Sequence, residues 1–461
     1  MAALRVPPQE AVIPDSVARP PVAVASHFPS ADAIAAAESA ALSRVALGLA
    51  GSEILKIAAE VRARQAAGEP LCNLTVGDFA PSEFRIPGAL ESAVARHLAA
   101  GQTNYPPSDG LPELRREVSR FYDRALRLTY PIEAVLIAGG ARPLIYATYR
   151  VLLDPGEKVL VPVPSWNNDS YAHLVGAQVV PVVASRASNF LPTAASLAPH
   201  FHDARLLVIN SPLNPAGTVM SEPEVRAIAE LLVAENRRRQ AVGARALFLL
   251  WDQVYWMLTF GAARHVTPAE VVPESAAWTI LVDSISKSFA ATGLRVGWAA
   301  APPYLRRRMA DILSHVGAWA PRPEQAATAE FLADEGAVAT FNATMVAAVR
   351  RRLDRLHEGF DEMARAGLPV EVVPPQGAIY LSVRFALDGR RLDGDSARPP
   401  IRSNEEIRRL LLTEAGFAVV TFQAFGLREE SGWMRLSVGA LSLADIDAGL
   451  FRVRTLLERC R

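Results

Sequence analysis

Residues 278–298, WTILVDSISKSFAATGLRVGW, set an apolar, strand-like run directly against a lysine bracketed by serines. Lys287 sits at that junction, and only three of the chain's 48 basic residues are lysines, the others being Lys56 and Lys158. In a chain so averse to lysine, Lys287 is hard to dismiss as a solubilising charge. A primary amine condenses with an aldehyde, which arginine cannot do, and an amine at a rigid strand end can be held against a cofactor. Ser284, Ser286 and, eight residues after the lysine, Arg295 add hydroxyl donors and a permanent cation, the combination that grips a phosphate. The stretch reads as a site for an aldehyde that carries a phosphate. The competing reading is a strand that ends in polar residues with an exposed lysine, and the rest of the chain decides between them.

Composition narrows the partner. With 461 residues the chain is long enough for a large core and two domains, and with 48 basic against 48 acidic residues it has no net field to draw in nucleic acid or a membrane surface. A small-molecule partner is the default. Cys72 and Cys460 are too few and too far apart for a disulfide framework, which suits a reducing cytoplasm. Prolines 7, 8, 14, 20 and 21 break up the N-terminus where a signal peptide would need an apolar run, and no stretch approaches the roughly 18 apolar residues of a membrane span. A cytoplasmic location is the expectation, and no metal site is singled out.

In chain order, residues 1 to about 30 are rich in proline and alanine without periodicity and read as an arm or disordered leader. An alanine-rich segment over 30–49 can be helical. Ser52 precedes EILKIAAEVRARQAAG, whose apolar residues fall at helical spacing with Gly68 placed to stop it; LCNLTVG then reads as a short strand ending at Gly77. Helices are expected over 87–100 and from Pro112 onward, where a first-turn proline is tolerated. Apolar runs at 134–138, 158–163, 178–183, 206–210, 246–251 and 279–282 alternate with helix-length segments or loops, the pattern of an α/β domain with a mostly parallel sheet flanked by helices. Beyond Gly297 come long arginine-rich helical stretches, notably 337–366, then strands at 370–373, 378–383 and 434–438 with helices at 404–415 and from 444 to the end. That is the pattern of a smaller α+β domain, and residues 388–401 read as a surface loop.

Ligands of open α/β sheets collect at the carboxyl ends of the strands. The residues there are Gly139-Gly140-Ala141-Arg142, a turn that can open a helix with bare amides; Ser165-Trp166; Asn210-Ser211-Pro212-Leu213-Asn214-Pro215; and Trp251-Asp252-Gln253-Val254-Tyr255. A carboxylate after the apolar run ALFLLW either reaches solvent or meets a positive group, and a protonated ring nitrogen is such a group.

Together these residues resemble the fold-type I pyridoxal-phosphate enzymes, specifically the class I/II aminotransferase family typified by aspartate and aromatic aminotransferases. The resemblance runs from about Gly51 to the C-terminus. Eight motifs fall in family order: Gly77-Asp78-Phe79, Tyr105 with Gly110, the Gly140 turn, NSPLNPAG, WDQVY, SISKSFAATGLRVGW, PQGAIY ending at Tyr380, and MRLSV around Arg435.

The resemblance implies a transaminase that moves an amino group between an L-amino acid and a 2-oxo acid by a ping-pong route, with pyridoxal 5′-phosphate as cofactor. Lys287 would be the Schiff-base lysine and the general base, and Asp252 would hold the pyridine nitrogen protonated. Tyr255 and Asn214 would bond the phenolic oxygen, and Trp166 would stack on the ring. Gly140, Ala141, Ser284, Ser286 and Arg295 would hold the phosphate, joined by Tyr105 from the neighbouring subunit of a homodimer with composite sites. Arg435 would fork the substrate carboxylate, assisted by Asn214, Trp166 and the Gly77 backbone. It further implies an arm over 1–50, a small domain built from 51–89 and 321–461, and a large cofactor-binding domain over 90–320.

Two departures stand out. Where many relatives have a hydroxyl or lysine in the glycine turn, this chain has Ala141 followed by Arg142, and Arg322 lies in a region from which some relatives reach the partner's site. Other reactions share the scaffold: a pyridoxal-phosphate lyase, decarboxylase or replacement enzyme is the first alternative. A ligand-sensing regulator is the remote one, since residues 1–50 have only Arg5, Arg19 and Arg44 as basic residues and are too short for a winged helix.

Overall fold

The computed structural model describes residues 24–461 apart from positions 50, 52, 396 and 398. Most of the expected proline-rich leader, and Ser52 ahead of the first long helix, lie outside the described residues. The chain divides after Ala50 into two compact units. In the first, the alanine-rich segment forms two short helices, Ile34–Ala41 and Arg44–Gly48, and none of its described residues is buried. Ser43 caps the second of them by accepting a hydrogen bond from the Ala46 amide at 3.2 Å.

The second unit opens with helix Glu53–Ala66, after which Gly68 takes a left-handed φ of 83° and turns the chain out. Strand β1 (Cys72–Asn73) is shorter than LCNLTVG suggested and pairs in parallel with Phe417–Ala418. The main sheet has seven strands: β2 (Val135–Ala138), β3 (Lys158–Val163), β4 (Gln178–Val183), β5 (Ala204–Asn210), β6 (Phe248–Asp252), β7 (Thr279–Ser284) and β8 (Gly297–Ala300), in spatial order β2-β8-β7-β6-β5-β3-β4. Strand β8 runs antiparallel to both neighbours, while β7, β6, β5, β3 and β4 are parallel. Every residue of β2, β7 and β8 is buried, as expected of strands covered on both faces. Helices Pro112–Leu126, Ala141–Leu152 and Pro303–Val316 pack against them.

Periodicity marked six of the seven strands. Strand β8 escaped it because GWAA is only four residues long and runs almost at once into a proline-started helix, so its local pattern does not separate strand from helix.

The rest of the chain forms β9 (Val370–Val372), β10 (Tyr380–Phe385), β11 (Phe417–Ala418), β12 (Val420–Thr421) and β13 (Trp433–Ser437), of which β12-β13-β10-β9 make an antiparallel sheet. Helix Glu335–Arg365 buries Val338, Met345, Val349, Leu353, Leu356, Phe360 and Met363, one stripe at helical spacing. Helix Asn404–Ala415 starts on a capping box between Ser403 and Glu406 and stops at Gly416, whose φ is 56°. The buried apolar side chains gather mainly into two clusters, one around the seven-stranded sheet and one around the antiparallel sheet, and the 31-residue helix contributes to both. Residues 388–401 form the expected surface loop, pinned at Leu392 and Asp393. Leu387 and Leu392 are buried, Leu392 pairs with Cys460, and Arg459 holds the Asp393 carboxylate at 2.9 Å, so the segment is stitched to the C-terminus.

Candidate active site at the strand ends

Strand β7 ends at Ser284 and turns at once into the single-turn helix Ile285–Ser288. The Ser284 hydroxyl caps that turn by accepting from the Ser286 amide at 3.3 Å. Lys287 is thereby fixed just beyond the sheet, with its Nζ donating to the Gly77 carbonyl at 2.6 Å.

The antiparallel β8 explains what stands beside it. Because β8 is reversed, its first residue, Gly297, lies opposite both Ala138, the last residue of β2, and Ser284, the last of β7. Arg295, two residues before that start, is carried to the same edge. It adopts a left-handed φ of 56° and donates to the Thr292 carbonyl at 2.8 Å and to the Gly139 carbonyl at 2.9 Å. Gly140 has a φ of 93°, and a Cβ there would collide with the Arg295 guanidinium, so the turn both needs glycine's backbone and has room for nothing larger. Helix Ala141–Leu152 then starts with its first amides free of helical partners, a built anion-binding end next to a guanidinium.

Asp252 closes β6 opposite Asn210 at the end of β5. The Asn210 side chain donates to the Asp252 carbonyl at 2.9 Å and accepts from the Asn214 amide at 2.7 Å, so one asparagine ties the NSPLNP turn to the aspartate strand. The Asp252 carboxylate accepts from the Val254 amide at 3.2 Å. Burial lifts its pKa to about 7, against the smaller opposing effect of that amide. Burial likewise lowers Lys287 to about 8, with Asp78 opposing. One strand over, Asp283 is also buried, bonded to Trp256 Nε1 at 2.7 Å and to the Ser284 amide at 2.7 Å, and burial pushes it to about 8.

Arg435 is fully buried in the middle of β13. One Nη donates to the Thr75 carbonyl at 2.6 Å and the other meets the Asn214 side chain at 3.5 Å, while Nε has no partner among the described residues. With no carboxylate against it among the described residues, such a buried guanidinium is costly unless an anion arrives to match it.

A cavity of about 720 Å³ collects these groups. Ser284, Ser286, Lys287, Arg295 and Ala141 line one side; Asp252, Tyr255, Asn214, Trp166, Gly77 and Arg435 complete it. Two expected residues do not line it. Gly140 lies beneath the Arg295 guanidinium, and Tyr105 is 80 % exposed with its ring edge-on to Trp319 at 5.2 Å. Arg322 reaches toward the Tyr105 carbonyl at 3.4 Å rather than the cavity.

Other lining residues went unassigned by sequence reasoning. Arg142 lies 4.5 Å over the Trp166 ring, Tyr380 contacts Tyr255, and Ile54, Ala58 and Arg62 come from helix Glu53–Ala66. Tyr380 closes the PQGAIY motif and could have been flagged there; nothing local marks Arg62.

The model of the family described as aminotransferase class I and II matches residues 69–453. The chain belongs to the class I and II aminotransferases. The enzyme is 29 % identical to an aspartate aminotransferase of Geobacillus stearothermophilus, over 90 % of this chain and 99 % of that protein. It is 32 % identical to a probable aspartate/prephenate aminotransferase of Thermus aquaticus, over 78 % of this chain and 86 % of the other. The crystal structure of the aspartate aminotransferase from Rhizobium meliloti superposes with a TM-score of 0.82 at 27 % identity, covering 91 % of this chain and 99 % of that one. Nothing in these relatives favours a lyase, decarboxylase or replacement reaction.

The aminotransferase acts on an amino acid and an oxo acid and depends on pyridoxal 5′-phosphate. Its cavity fits that group: a bare helix start and Arg295 suit a phosphate, the Asp252 carboxylate, with no ion-pair partner among the described residues, suits a protonated ring nitrogen, and Lys287 supplies an amine in the same cavity. Among the described residues no helix is long and apolar enough to cross a membrane.

Proposed function

We propose that the aminotransferase exchanges an amino group between an L-amino acid and a 2-oxo acid by a ping-pong route, with Lys287 both anchoring the cofactor and moving the proton at the substrate Cα. The observation that carries this is the sharing of one cavity by an amine whose pKa burial lowers to about 8 and a buried Arg435 whose Nε has no partner among the described residues. When bound, pyridoxal 5′-phosphate supplies an aldehyde that condenses with amines and a conjugated ring that accepts the electron pair left at Cα.

The chain's own groups do the rest. Arg435, assisted by Asn214 and the Gly77 backbone, holds the substrate carboxylate and so presents Cα to Lys287. Lys287 Nζ, in its neutral form, would take the Cα proton and deliver it across the amino nitrogen to the cofactor's C4′. Asp252 would keep a proton on the ring nitrogen, and Tyr255 with Asn214 would donate to the phenolic oxygen. Trp166, which lines the cavity, would stack on the ring. The Ala141 amide, with Ser284, Ser286 and Arg295, would hold the phosphate, while the Gly140 amide is already given to the Ala138 carbonyl at 2.7 Å.

The same reading includes a homodimer in which Tyr105 serves the neighbouring site; its 80 % exposure in a single subunit supports this. It places the protein in the cytoplasm, in keeping with free thiols at Cys72 and Cys460. It also divides the chain into an arm over 1–50, a large domain over 90–320 and a small domain from 51–89 and 321–461, of which the break after Ala50 supports the first boundary.

The test is the half-reaction. Single L-amino acids added to purified holoenzyme should convert the visible absorbance to that of the amine form of the cofactor, and a 2-oxo acid should restore it. A broad panel of donors that leaves the spectrum unchanged overturns the proposal.

A further inference from the structure

Tyr255 and Tyr380 meet hydroxyl to hydroxyl at 2.7 Å in the wall of the cavity. They come from distant parts of the chain: Tyr255 follows β6, and Tyr380, 125 positions later, opens β10. Both are buried, and their rings pack edge to face with centroids 5.5 Å apart. Tyr380 is fixed from two further directions. The Arg435 guanidinium lies 4.9 Å from its ring centroid, and a Cβ at Gly77 would stand only 3.0 Å from its hydroxyl oxygen, so the Gly77 backbone closes over it. Among the described residues the Tyr380 hydroxyl has one hydrogen-bond partner, the Tyr255 oxygen.

Two phenols in contact share a single donated proton, and the other O–H is left for a different acceptor. If Tyr255 donates to the cofactor's phenolic oxygen, its own oxygen is the acceptor in the tyrosine pair. We infer that Tyr380 is a positioning residue that donates to Tyr255 and so aims the Tyr255 O–H into the cavity at the cofactor. The inference rests on the proposed role of Tyr255 and goes beyond it by assigning a second residue that never needs to touch the cofactor oxygen. A hydroxyl that accepts one hydrogen bond becomes a stronger donor in the next, by roughly 10–30 % per bond. The pair also spans two substructures, since Tyr380 belongs to the antiparallel sheet that carries Arg435 and Tyr255 follows the sheet that carries Asp252.

Tyr380→Phe tests this while keeping the ring against Arg435. A donor on the phenolic oxygen favours loss of the proton from the lysine–cofactor linkage, so removing that donor raises the pH midpoint of the holoenzyme's visible absorbance. Tyr380→Phe should raise the midpoint by roughly half a unit, consistent with losing one cooperative link rather than the donor itself. Tyr255→Phe should raise it further, and Tyr255→Phe/Tyr380→Phe should match Tyr255→Phe alone, because Tyr380 acts only through Tyr255. Bound cofactor absorbance in each variant reports that it has folded. An unmoved or lowered midpoint in Tyr380→Phe beside a raised one in Tyr255→Phe overturns the inference and leaves the Tyr255 role standing, as do additive shifts in the double variant. An unmoved midpoint in Tyr255→Phe overturns the Tyr255 role and the inference together.

Discussion

Lys287 Nζ donates to the Gly77 carbonyl at 2.6 Å, across 210 residues of chain. The bond holds the amine at the mouth of the segment that also supplies the Thr75 carbonyl to Arg435, so the anchoring lysine and the carboxylate clamp share one strip of backbone.

Because burial lowers Lys287 to about 8, cofactor capture by the apoprotein should depend on pH through that group. The capture rate, followed by the rise of visible absorbance at fixed cofactor concentration, should climb as pH increases through about 8 and level off above it. A rate indifferent to pH across that range would show that the free amine is not the attacking group.

Lys287→Ala should abolish the reducible cofactor linkage and nearly all turnover. Borohydride reduction followed by mass analysis of the peptide containing residues 285–288 checks the first, and steady-state assay the second. Retained turnover at more than a trace would remove the lysine from the mechanism.

Asp252 makes a stability prediction as well as a kinetic one. Its folded pKa of about 7 stands above its ordinary 3.8, so between those values the folded apoprotein keeps a proton that the unfolded chain has released. Stability from this group is therefore full below about 3.8 and is lost as pH rises through about 7. The melting temperature of the apoprotein should fall over that window, less steeply in Asp252→Asn, and equal slopes in the two proteins would contradict the assignment. Asp252→Ala should slow the chemical step on the order of a hundred- to a thousandfold while weakening cofactor binding far less.

Arg435→Ala should raise the substrate requirement on the order of a hundredfold, as expected when one partner of a buried charge pair is truncated at about 2–5 kcal/mol. The Michaelis constants for amino acid and oxo acid should rise together, because both bring a carboxylate to the same guanidinium. A variant that loses kcat at unchanged substrate requirement would place Arg435 elsewhere in the mechanism.

A composite dimer has a distinctive signature. If Tyr105 serves the partner's site, mixing Lys287→Ala with Tyr105→Phe subunits rebuilds one complete site per mixed dimer. Activity after dissociation and reassociation should exceed the sum of the two separate variants. A purely additive result argues for sites complete within one subunit.

Much of the site could be read locally. Lys287, Ser284 and Ser286 sit on a strand-to-turn junction, and Asp252 ends an apolar run with no cation near it in sequence, so the local pattern flagged them and the family resemblance gave them their roles. Tyr380 and Arg62 could not be assigned in this way. A tyrosine that starts a strand is ordinary, and an arginine on an amphipathic helix usually faces water; each becomes part of the cavity only through neighbours far away in the chain.

The sequence by itself determined the alternation of strands and helices, the caps and glycine stops of the helices, and the chemical inventory at the strand ends, because periodicity and turn chemistry act over a few residues. Only the tertiary structure decided that β8 enters the sheet reversed between β2 and β7. That reversal sets Gly297 opposite both Ala138 and Ser284 and brings Arg295 onto the Gly140 turn. It likewise decided that Gly77, Tyr380 and Arg435 converge on Lys287 and Tyr255. Strand order and cross-chain register follow from which apolar faces bury one another, and that competition is settled by the whole core rather than by any segment of it.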